Sequence, residues 1–570
     1  MANGNGNLYP VGSFEYFNLS KIRTATTYGQ FNKHGQDSWA LSQRSLDFIA
    51  RDEMGYNHSV EEKLFTNTAR TNFQKIILRA AGDDNFPADY NSSNLGSAHV
   101  RDAFIHNLAD KGGLSLDVRR GAKCIIYLNG AYWGVYDLRE NPDDHDFTDF
   151  NYGQDKFNLQ YIERWGSIWS EYGGAQAQTD WNTLYDYIMN NDMSVAANYQ
   201  YVTDRYEVKS LVDYFLVNMF TVCSDWLIWN TAWWRGLDST GTHLKWGYIL
   251  WDNDATFGHY INYTGIPNTN PDADPCDPET GIADSEDPDD HIGVLLKLKT
   301  NPVFYQYYIS RQIDLWNTVF GCDNMLAQLD STVALIQPEM QQHSTRWSGI
   351  YSDWVDNVQT LRDFIVDRCS LLTYGFISCY ALNGPYDLTL NTTPAGAGNL
   401  RLNSLLLDSF PWTGTYFGGI ETLLEAIPNS GYQFNDWNAA NHTFTPNATS
   451  LNVKITSLNS DDIVIADFNQ IVKTNDYPMK AQTVNVYPTI FNDEIIVVYN
   501  VLAPAPVTIK LLSPLGQEII TTTPPQSFSD KGYYSVKFNL AGTGLSPGIY
   551  LIEFTEGDYR KSVKVVKAGK

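Results

Sequence analysis

At Cys379 the hydrophobic period of this chain changes, and that change limits what the sequence can fold into. Upstream, Ser210–Val222, Gly293–Phe320, Asn324–His343 and Trp354–Leu372 repeat apolar residues every 3.6 positions, as helices with one buried face do. Pro338 falls inside the third of these runs and predicts a kink there. Downstream, short runs alternate apolar and polar residues between Gly, Pro, Asn and Thr clusters, the pattern of all-β sandwiches. One hydrophobic core cannot serve both periods, so the chain must build a helix-bearing part and then β units. A length of 570 residues leaves room for roughly three or four domains.

The first 150 residues read as strand-rich with one helix. Strands are expected at Ser45–Arg51, Lys75–Ala80, Lys123–Leu128 and Tyr132–Leu138. The last two flank Asn129-Gly130, a type I′ hairpin signal, because both residues tolerate positive φ. His99–Asp110, with Val100, Ala103, Phe104 and Leu108 on one face, reads as a helix. The stretch from Trp181 to Tyr380 is mostly helical. After it come two β units, about 381–470 and 478–570, joined near Lys473–Ala481. In the second, strands are expected at Glu494–Tyr499, Val507–Leu512, Tyr533–Phe538, Gly548–Phe554 and Ser562–Lys567. The fold class is α+β, continued by two sandwich-like all-β domains.

A formal net charge of -26 repels a phosphate backbone and argues against sequence-independent nucleic-acid binding. It favours cationic partners, divalent metals among them. The six cysteines form no C-x-x-C pair. Cys369 and Cys379 are close enough in sequence to pair, while Cys124 and Cys223 sit in apolar runs as buried thiols do. There is no apolar run of about 18 residues, so no transmembrane helix is expected. The start, M-A-N-G-N-G-N-L-Y-P, lacks the features of a secretory signal. Either the protein is cytoplasmic or its precursor begins further upstream.

The residues that carry chemistry lie between Asp225 and Gly258, in D-W-L-I-W-N followed by L-K-W-G-Y-I-L-W-D-N-D-A-T-F-G. Phosphoryl transfer needs an Asp that accepts the substrate hydroxyl proton, together with an Asn and a second Asp that hold the metal ions on the nucleotide phosphates. Asp225, Asn230 and Asp252 supply that set in the right order, with a strand between Asn230 and an acidic turn that closes on Phe257-Gly258 like a D-F-G region. The same groups also fit a structural role, as buried polar residues tying down a core around Trp226, Trp229, Trp233 and Trp234.

With these residues in view, the first 380 positions or so resemble the CotH-type (spore coat protein H) kinase family. The resemblance is carried by H-G-Q-D-S-W at 34–39, I-I-L-R-A-A-G at 76–82, R-D-A-F at 101–104 and Y-L-N-G-A-Y-W-G-V-Y-D-L-R-E at 127–140. It continues through D-W-L-I-W-N at 225–230 and W-D-N-D-A-T-F-G at 251–258. It implies an atypical protein-kinase-like domain over 1–380, with a strand-rich lobe to about 150 and a helical lobe over 151–380. Such a domain binds ATP with Mg²⁺ or Mn²⁺ and phosphorylates Ser or Thr of a protein substrate. Asp225 is then the catalytic Asp, Asn230 and Asp252 are metal ligands, and Asp254 is an alternate or supporting ligand. Arg79 stands where kinases carry a phosphate-binding Lys, with Asp102 orienting it. A guanidinium grips phosphate with a fork of donors and never deprotonates, so it holds ATP differently from a Lys. Arg44 is a second candidate for phosphate, and backbone groups near Leu138–Glu140 are candidates to meet adenine.

The last segment resembles the C-terminal sorting domain of type IX secretion, through V-N-V-Y-P-T-I-F-N-D-E at 484–494, L-L-S-P-L-G-Q-E at 511–518, L-S-P-G-I-Y at 545–550 and K-S-V-K-V-V-K at 561–567. That implies the type IX machinery as a partner and delivery through the periplasm to the outside of the cell, with a signal upstream of residue 1. Between the two, E-A-I-P-N-S-G-Y-Q-F-N-D-W at 425–437 looks like an internalin-B-type surface repeat. The acidic stretch 270–290 places Asn270, Asp272 and Asp274 like the first half of a Ca²⁺ loop, although composition also fits a solvated, mobile segment that steers basic peptides. Two readings of another kind remain beside the kinase: a catalytically silent surface protein binding through its aromatics, and a metal-dependent hydrolase built on Asp252 and Asp254.

Overall fold

The computed structural model describes residues 10–35, 39, 41–55, 57–88, 92–471, 482–502, 504–524 and 531–569. They divide into two compact units, 1–428 with 434–468, and 429–433 with 469–570. The expected join at Lys473–Ala481 lies outside the described residues, as do residues 36–38 of the His34–Trp39 segment.

The first unit opens with β1 (Val11–Phe17), β2 (Arg23–Lys33) and β3 (Leu46–Ala50), followed by the short pair β4 (Val60–Glu61) and β5 (Asn72–Phe73). Then come β6 (Lys75–Arg79), β7 (Gly121–Leu128) and β8 (Ala131–Arg139), which complete an antiparallel sheet ordered β1-β2-β3-β6-β8-β7. Asn129 and Gly130 turn the β7–β8 hairpin with φ of 50° and 77°, as their residue types predict. Side chains alternate across a strand, so Ile76 and Leu78 join a core with Phe48, Phe73 and Tyr136. Lys75 and Arg79 consequently lie on the opposite face. That face meets α1 (Arg101–Lys111), which carries Asp102.

α2 (His145–Tyr152) leads to a second sheet, ordered β10-β9-β11-β12, from β9 (Leu159–Trp165), β10 (Ser167–Tyr172), β11 (Thr231–Gly236) and β12 (Gly247–Ile249). Between β10 and β11 run α3 (Gly174–Asn190), α4 (Ala196–Thr203) and α5 (Val208–Phe220). The helices α6 (Asp277–Thr280), α7 (His291–Leu298), α8 (Pro302–Trp316), α9 (Cys322–Trp347) and α10 (Tyr351–Tyr380) follow. The single period read over Gly293–Phe320 is cut at Asn301, whose side chain caps α8 through the N–H groups of Val303 and Phe304 at 2.9 and 3.2 Å. α9 continues through Pro338. Among the described residues no helix is long and apolar enough to cross a membrane.

The cysteine reading needs correction: Cys379 is bonded to Cys276 across 103 positions, not to Cys369. Cys369 and Cys379 both ride on α10, and ten positions of helix separate them by about 15 Å, beyond the reach of a disulfide. The acidic stretch is also not the open loop its composition suggests, for it contains α6 and is tied to α10 by this bond.

Beyond α10, two four-stranded sheets, built around Asn383–Thr393 and Gly398–Leu402, join the first unit. Their attachment centres on Asp314 of α8, fully buried, which accepts from the N–H and hydroxyl of Ser404 at 2.8 and 2.6 Å and from the Tyr416 hydroxyl at 3.0 Å. Burial raises this carboxyl to about 6, against the pull of those donors. An unfolded Asp titrates near about 3.9, so the folded protein holds the proton more tightly. The stabilisation linked to this proton is therefore full below about pH 4 and lost as pH rises through about 6. Asp314→Ala is expected to cost about 1–3 kcal/mol, since it orphans buried donors. It should also flatten the slope of stability between those pH values, as read by chemical denaturation. An unchanged slope would show that Asp314 does not carry the linkage.

The second unit has its own core, including Val486, Ile495, Val497, Ile509, Leu511, Ile552 and Phe554. It is packed between a three-stranded and a five-stranded sheet, and its strands Glu494–Val501, Val507–Leu512, Gly532–Asn539, Gly548–Glu556 and Tyr559–Lys567 follow the period-2 runs of the sequence.

Candidate functional site

β6 ends at Arg79, and the guanidinium emerges on the face of the sheet away from the apolar core. It is 3% exposed and meets three carboxylates. Its Nε lies 3.3 Å from Asp102, Nη1 2.8 Å from Asp252 Oδ1, and Nη2 2.8 Å from Asp254 Oδ2. These charges hold the guanidinium protonated despite its burial. Asp102 receives more than Arg79. Arg139 pairs with it, His106 lies 3.3 Å away, and the N–H of Asn253 donates to it at 2.7 Å. Burial alone would raise the Asp102 carboxyl, but Arg139 and Arg79 hold it well below the usual range. Burial in turn drives His106 down to about 4, so it is neutral beside this pair.

Arg119 adds a second guanidinium to Asp252, at 3.3 Å, and lies over the Trp251 ring. The Asp252 side chain is 27% exposed, against 4% for Asp102 and Asp254, so it is the carboxylate a ligand from solvent reaches first. Asp254 also accepts the N–H of Asp83 at 2.9 Å. The approach requires Gly82, which has φ of 58° and where a Cβ would stand 2.1 Å from Asp254 Oδ2 and 2.6 Å from Arg79 Nη2. Burial, with the charge of Asp252 adding to it, lifts the Asp83 carboxyl to about 6.

Asp225 follows the C-terminus of α5. Asn230 spends its Nδ2 on it, 2.9 Å to the carboxylate and 3.1 Å to the carbonyl, which directs the amide oxygen away from Asp225. Burial raises the Tyr260 hydroxyl above its ordinary value, and the charges of Asp83, Asp225 and Asp254 add to it. The backbone here is strained. Seven of the fifteen described non-glycine residues with positive φ lie between Val222 and Tyr260, among them Asn230 at 50° and Asp252 at 47°. Such conformations cost about 1–3 kcal/mol each and gather where a site must hold a geometry.

Two candidates stand apart. Arg44 lies over the Trp39 ring, 5.2 Å from its centroid, with Nε toward the Leu41 carbonyl at 3.4 Å. Glu140 is fully buried between Arg70 at 3.3 Å and Arg120 at 3.7 Å, and its N–H is taken by the Arg120 carbonyl. In the proposed calcium stretch the carbonyls of Pro271 and Ala273 accept from the Arg368 guanidinium, so a cation already occupies the inner side. Another group, Asp144, His145 and Asp146, brings three ligand atoms within 4.8 Å of one another. Asp146 is engaged there by the Gln74 N–H at 2.8 Å and by Arg70 at 3.4 Å.

Arg119, Asp83 and Tyr260 lie outside the motifs, and Arg139 lies inside the 127–140 motif, which implies no role for it at this site. With them the Arg79 cluster holds four carboxylates (Asp83, Asp102, Asp252 and Asp254) against three guanidinium groups (Arg79, Arg119 and Arg139). A formal excess of negative charge carried on carboxylate oxygens suits a hard divalent cation.

Two family profiles match the chain. The one described as CotH kinase protein covers residues 31–372, and the one described as Divergent InlB B-repeat domain covers residues 407–472. No curated protein matches the chain. Among solved structures, a DUF3823 family protein from Bacteroides ovatus is 11% identical over 32% of this chain and 98% of its own, with a TM-score of 0.13, which carries no structural argument.

Proposed function

We propose, from the premise that this chain belongs to the CotH kinase protein family, that it transfers the γ-phosphoryl group of ATP to Ser or Thr hydroxyls of a protein substrate. The single observation that carries the reading is the meeting of Arg79, Asp102, Asp252 and Asp254 where the six-stranded sheet faces α1. In a two-lobed kinase-like domain this is the mouth of the nucleotide cleft. Asn230, Asp252 and Asp254 would hold the metal, and Arg79 with Arg119 would face the phosphates. ATP brings the phosphoryl group, and Mg²⁺ or Mn²⁺ neutralises the charge that builds on its oxygens. The chain's own residues do the rest. Asp225 accepts the hydroxyl proton, Asn230 fixes its rotamer, and Asp102 keeps the Arg79 fork aimed.

A second reading has its own observation. Arg79 bridges the very oxygens of Asp252 and Asp254 that a metal would use, at 2.8 Å each, as in a catalytically silent binding protein. Titration calorimetry with ATP and MnCl₂ separates the two. The kinase reading expects binding that EDTA abolishes, together with ³²P transfer to a Ser-containing protein. No nucleotide binding with either metal would sink it.

We also propose delivery to the outside of the cell, with residues 478–570 as a type IX sorting address. The separate core of the second unit and the Cys276–Cys379 disulfide, a bond of oxidising compartments, support this. A chain ending near Gln470 should still bind ATP and, expressed with its signal, stay in the periplasm. Surface delivery without the segment would overturn the assignment.

A further inference from the structure

The loop that carries Asp225 is held from outside by the segment that follows the Asp252–Asp254 turn. Ser224 donates its N–H to the Ala255 carbonyl at 2.9 Å, Trp226 to the Thr264 hydroxyl at 2.8 Å, and Ile228 to the Glu286 carbonyl at 3.0 Å. Thr264 returns its own N–H to the Ser224 carbonyl at 2.9 Å. The stretch 255–286 is thus a brace for Asp225, and the loop holds its geometry only if the brace is fixed.

α10 fixes it at three levels. Arg368, 2% exposed, points its guanidinium between the brace and the end of α5. It donates to the carbonyls of Pro271, at 3.0 Å, and Ala273 on one side, and to the Met219 carbonyl at 3.0 Å on the other. Met219 lies in the last turn of α5, where a cation is also favoured by the helix dipole. Burial lowers the pKa of Arg368 to about 10, against the pull of the Asp277, Asp274 and Asp272 charges, while its hydrogen bonds go to backbone carbonyls and the Met219 sulfur. Nearly two turns further along α10, Gly375 lets Pro275 approach so closely that a Cβ would stand 2.5 Å from its Cδ. Beyond that, Cys379 is bonded to Cys276. Burying a guanidinium is costly even with the Asp277, Asp274 and Asp272 charges drawing on it, and what it gains here is the joining of two backbone segments that both lead to Asp225.

We infer that Arg368 is a positioning residue for Asp225, acting through the 255–286 brace, and that the Cys276–Cys379 disulfide locks that brace, so that full phosphoryl-transfer competence requires the oxidised protein. The inference rests on the proposed kinase activity for its catalytic consequence, but the positioning itself is measurable without it.

The test uses the full chain as Arg368→Gln, Arg368→Lys and the double variant Cys276→Ser/Cys379→Ser. In each, kcat and the KM for ATP are measured, together with hydrogen exchange across residues 222–231 and across the six-stranded sheet. Arg368→Gln and the double Ser variant should lower kcat about tenfold or more while leaving the KM for ATP within about twofold, the mark of a lost arrangement rather than lost nucleotide contact. Exchange of the Ser224, Trp226 and Ile228 amides should rise about tenfold with the sheet unchanged, as for a local opening. Arg368→Lys, which keeps the charge and some donors, should recover part of both effects. Unchanged exchange at these amides, or an equal rise in the sheet, would overturn the inference by showing no role or a merely global one. If the wild-type protein transfers no phosphate at all, the kinase reading fails, and the exchange measurement still decides the positioning.

Discussion

Asp225→Asn should lower the rate of phosphoryl transfer about 10²- to 10⁴-fold, the range a positioned general base contributes. Affinity for ATP should change little, because Asp225 pairs with Asn230 and not with the Arg79 fork. The substitution is a clean one. An Asn at this position keeps an oxygen for the Asn230 Nδ2, so the strained turn survives while the proton acceptor is lost. Asp252→Asn is the contrasting variant. It removes a charge that Arg79 and Arg119 share, and should weaken metal and nucleotide binding together. Steady-state kinetics with calorimetry distinguish the two patterns. If Asp225→Asn transfers phosphate at the wild-type rate, Asp225 is not the base, whatever its place in the motif.

Where one residue's neighbours lie close in sequence, the chain is legible. The hairpin at Asn129-Gly130 shows this, because both positions need positive φ and both residue types tolerate it. So do the strands after Glu494, whose period 2 directly records which side chains enter the core. β1 and β2 were not legible. β1 is an edge strand, half-buried on alternate positions, so Phe14 and Tyr16 give only a faint alternation, and β2 continues it with the polar run R-T-A-T-T. At the site, Asp225, Asn230, Asp252 and Asp254 stand out because one stretch holds them in order. Arg119 and Arg139 lie just before β7 and at the end of β8, which the sheet order β6-β8-β7 brings beside Arg79, while Asp83 follows Arg79 by four positions and reaches Asp254 only through the turn at Gly82. Arg44, a candidate for phosphate by its residue type, lies over the Trp39 ring and apart from the Arg79 cluster. The Cys276–Cys379 bond spans 103 positions, and no spacing rule reaches that far.

Replacing Arg79 with Met should give the largest change in stability, and metal should reverse most of it. Without the guanidinium, Asp102 retains Arg139 and Asp252 retains Arg119, but among the described residues Asp254 is left buried with the Asp83 N–H as its remaining hydrogen-bond partner. Breaking a buried ion pair on one side costs about 3–5 kcal/mol, because the partner's charge stays uncompensated. Burial already pushes the Asp254 carboxyl above its ordinary range with Arg79 present, so the variant should answer in part by protonating it. A divalent cation offers another answer, since it can neutralise Asp252 and Asp254 directly. On the proposed assignment a metal would compete with Arg79 for those oxygens in the wild-type protein, and in the variant it would not. Saturating MgCl₂ or MnCl₂ at about 100 times its dissociation constant adds about 2.7 kcal/mol to a protein that binds it only when folded. Thermal unfolding in EDTA and in each metal should therefore show a lower melting temperature for Arg79→Met in EDTA, and a larger metal-induced rise than in wild type. Phosphoryl transfer should stay low in metal, since no fork of donors remains on the phosphates. Equal metal shifts in the two proteins would mean that the ion does not bind between Asp252 and Asp254, and the metal assignment of both residues would fall with it.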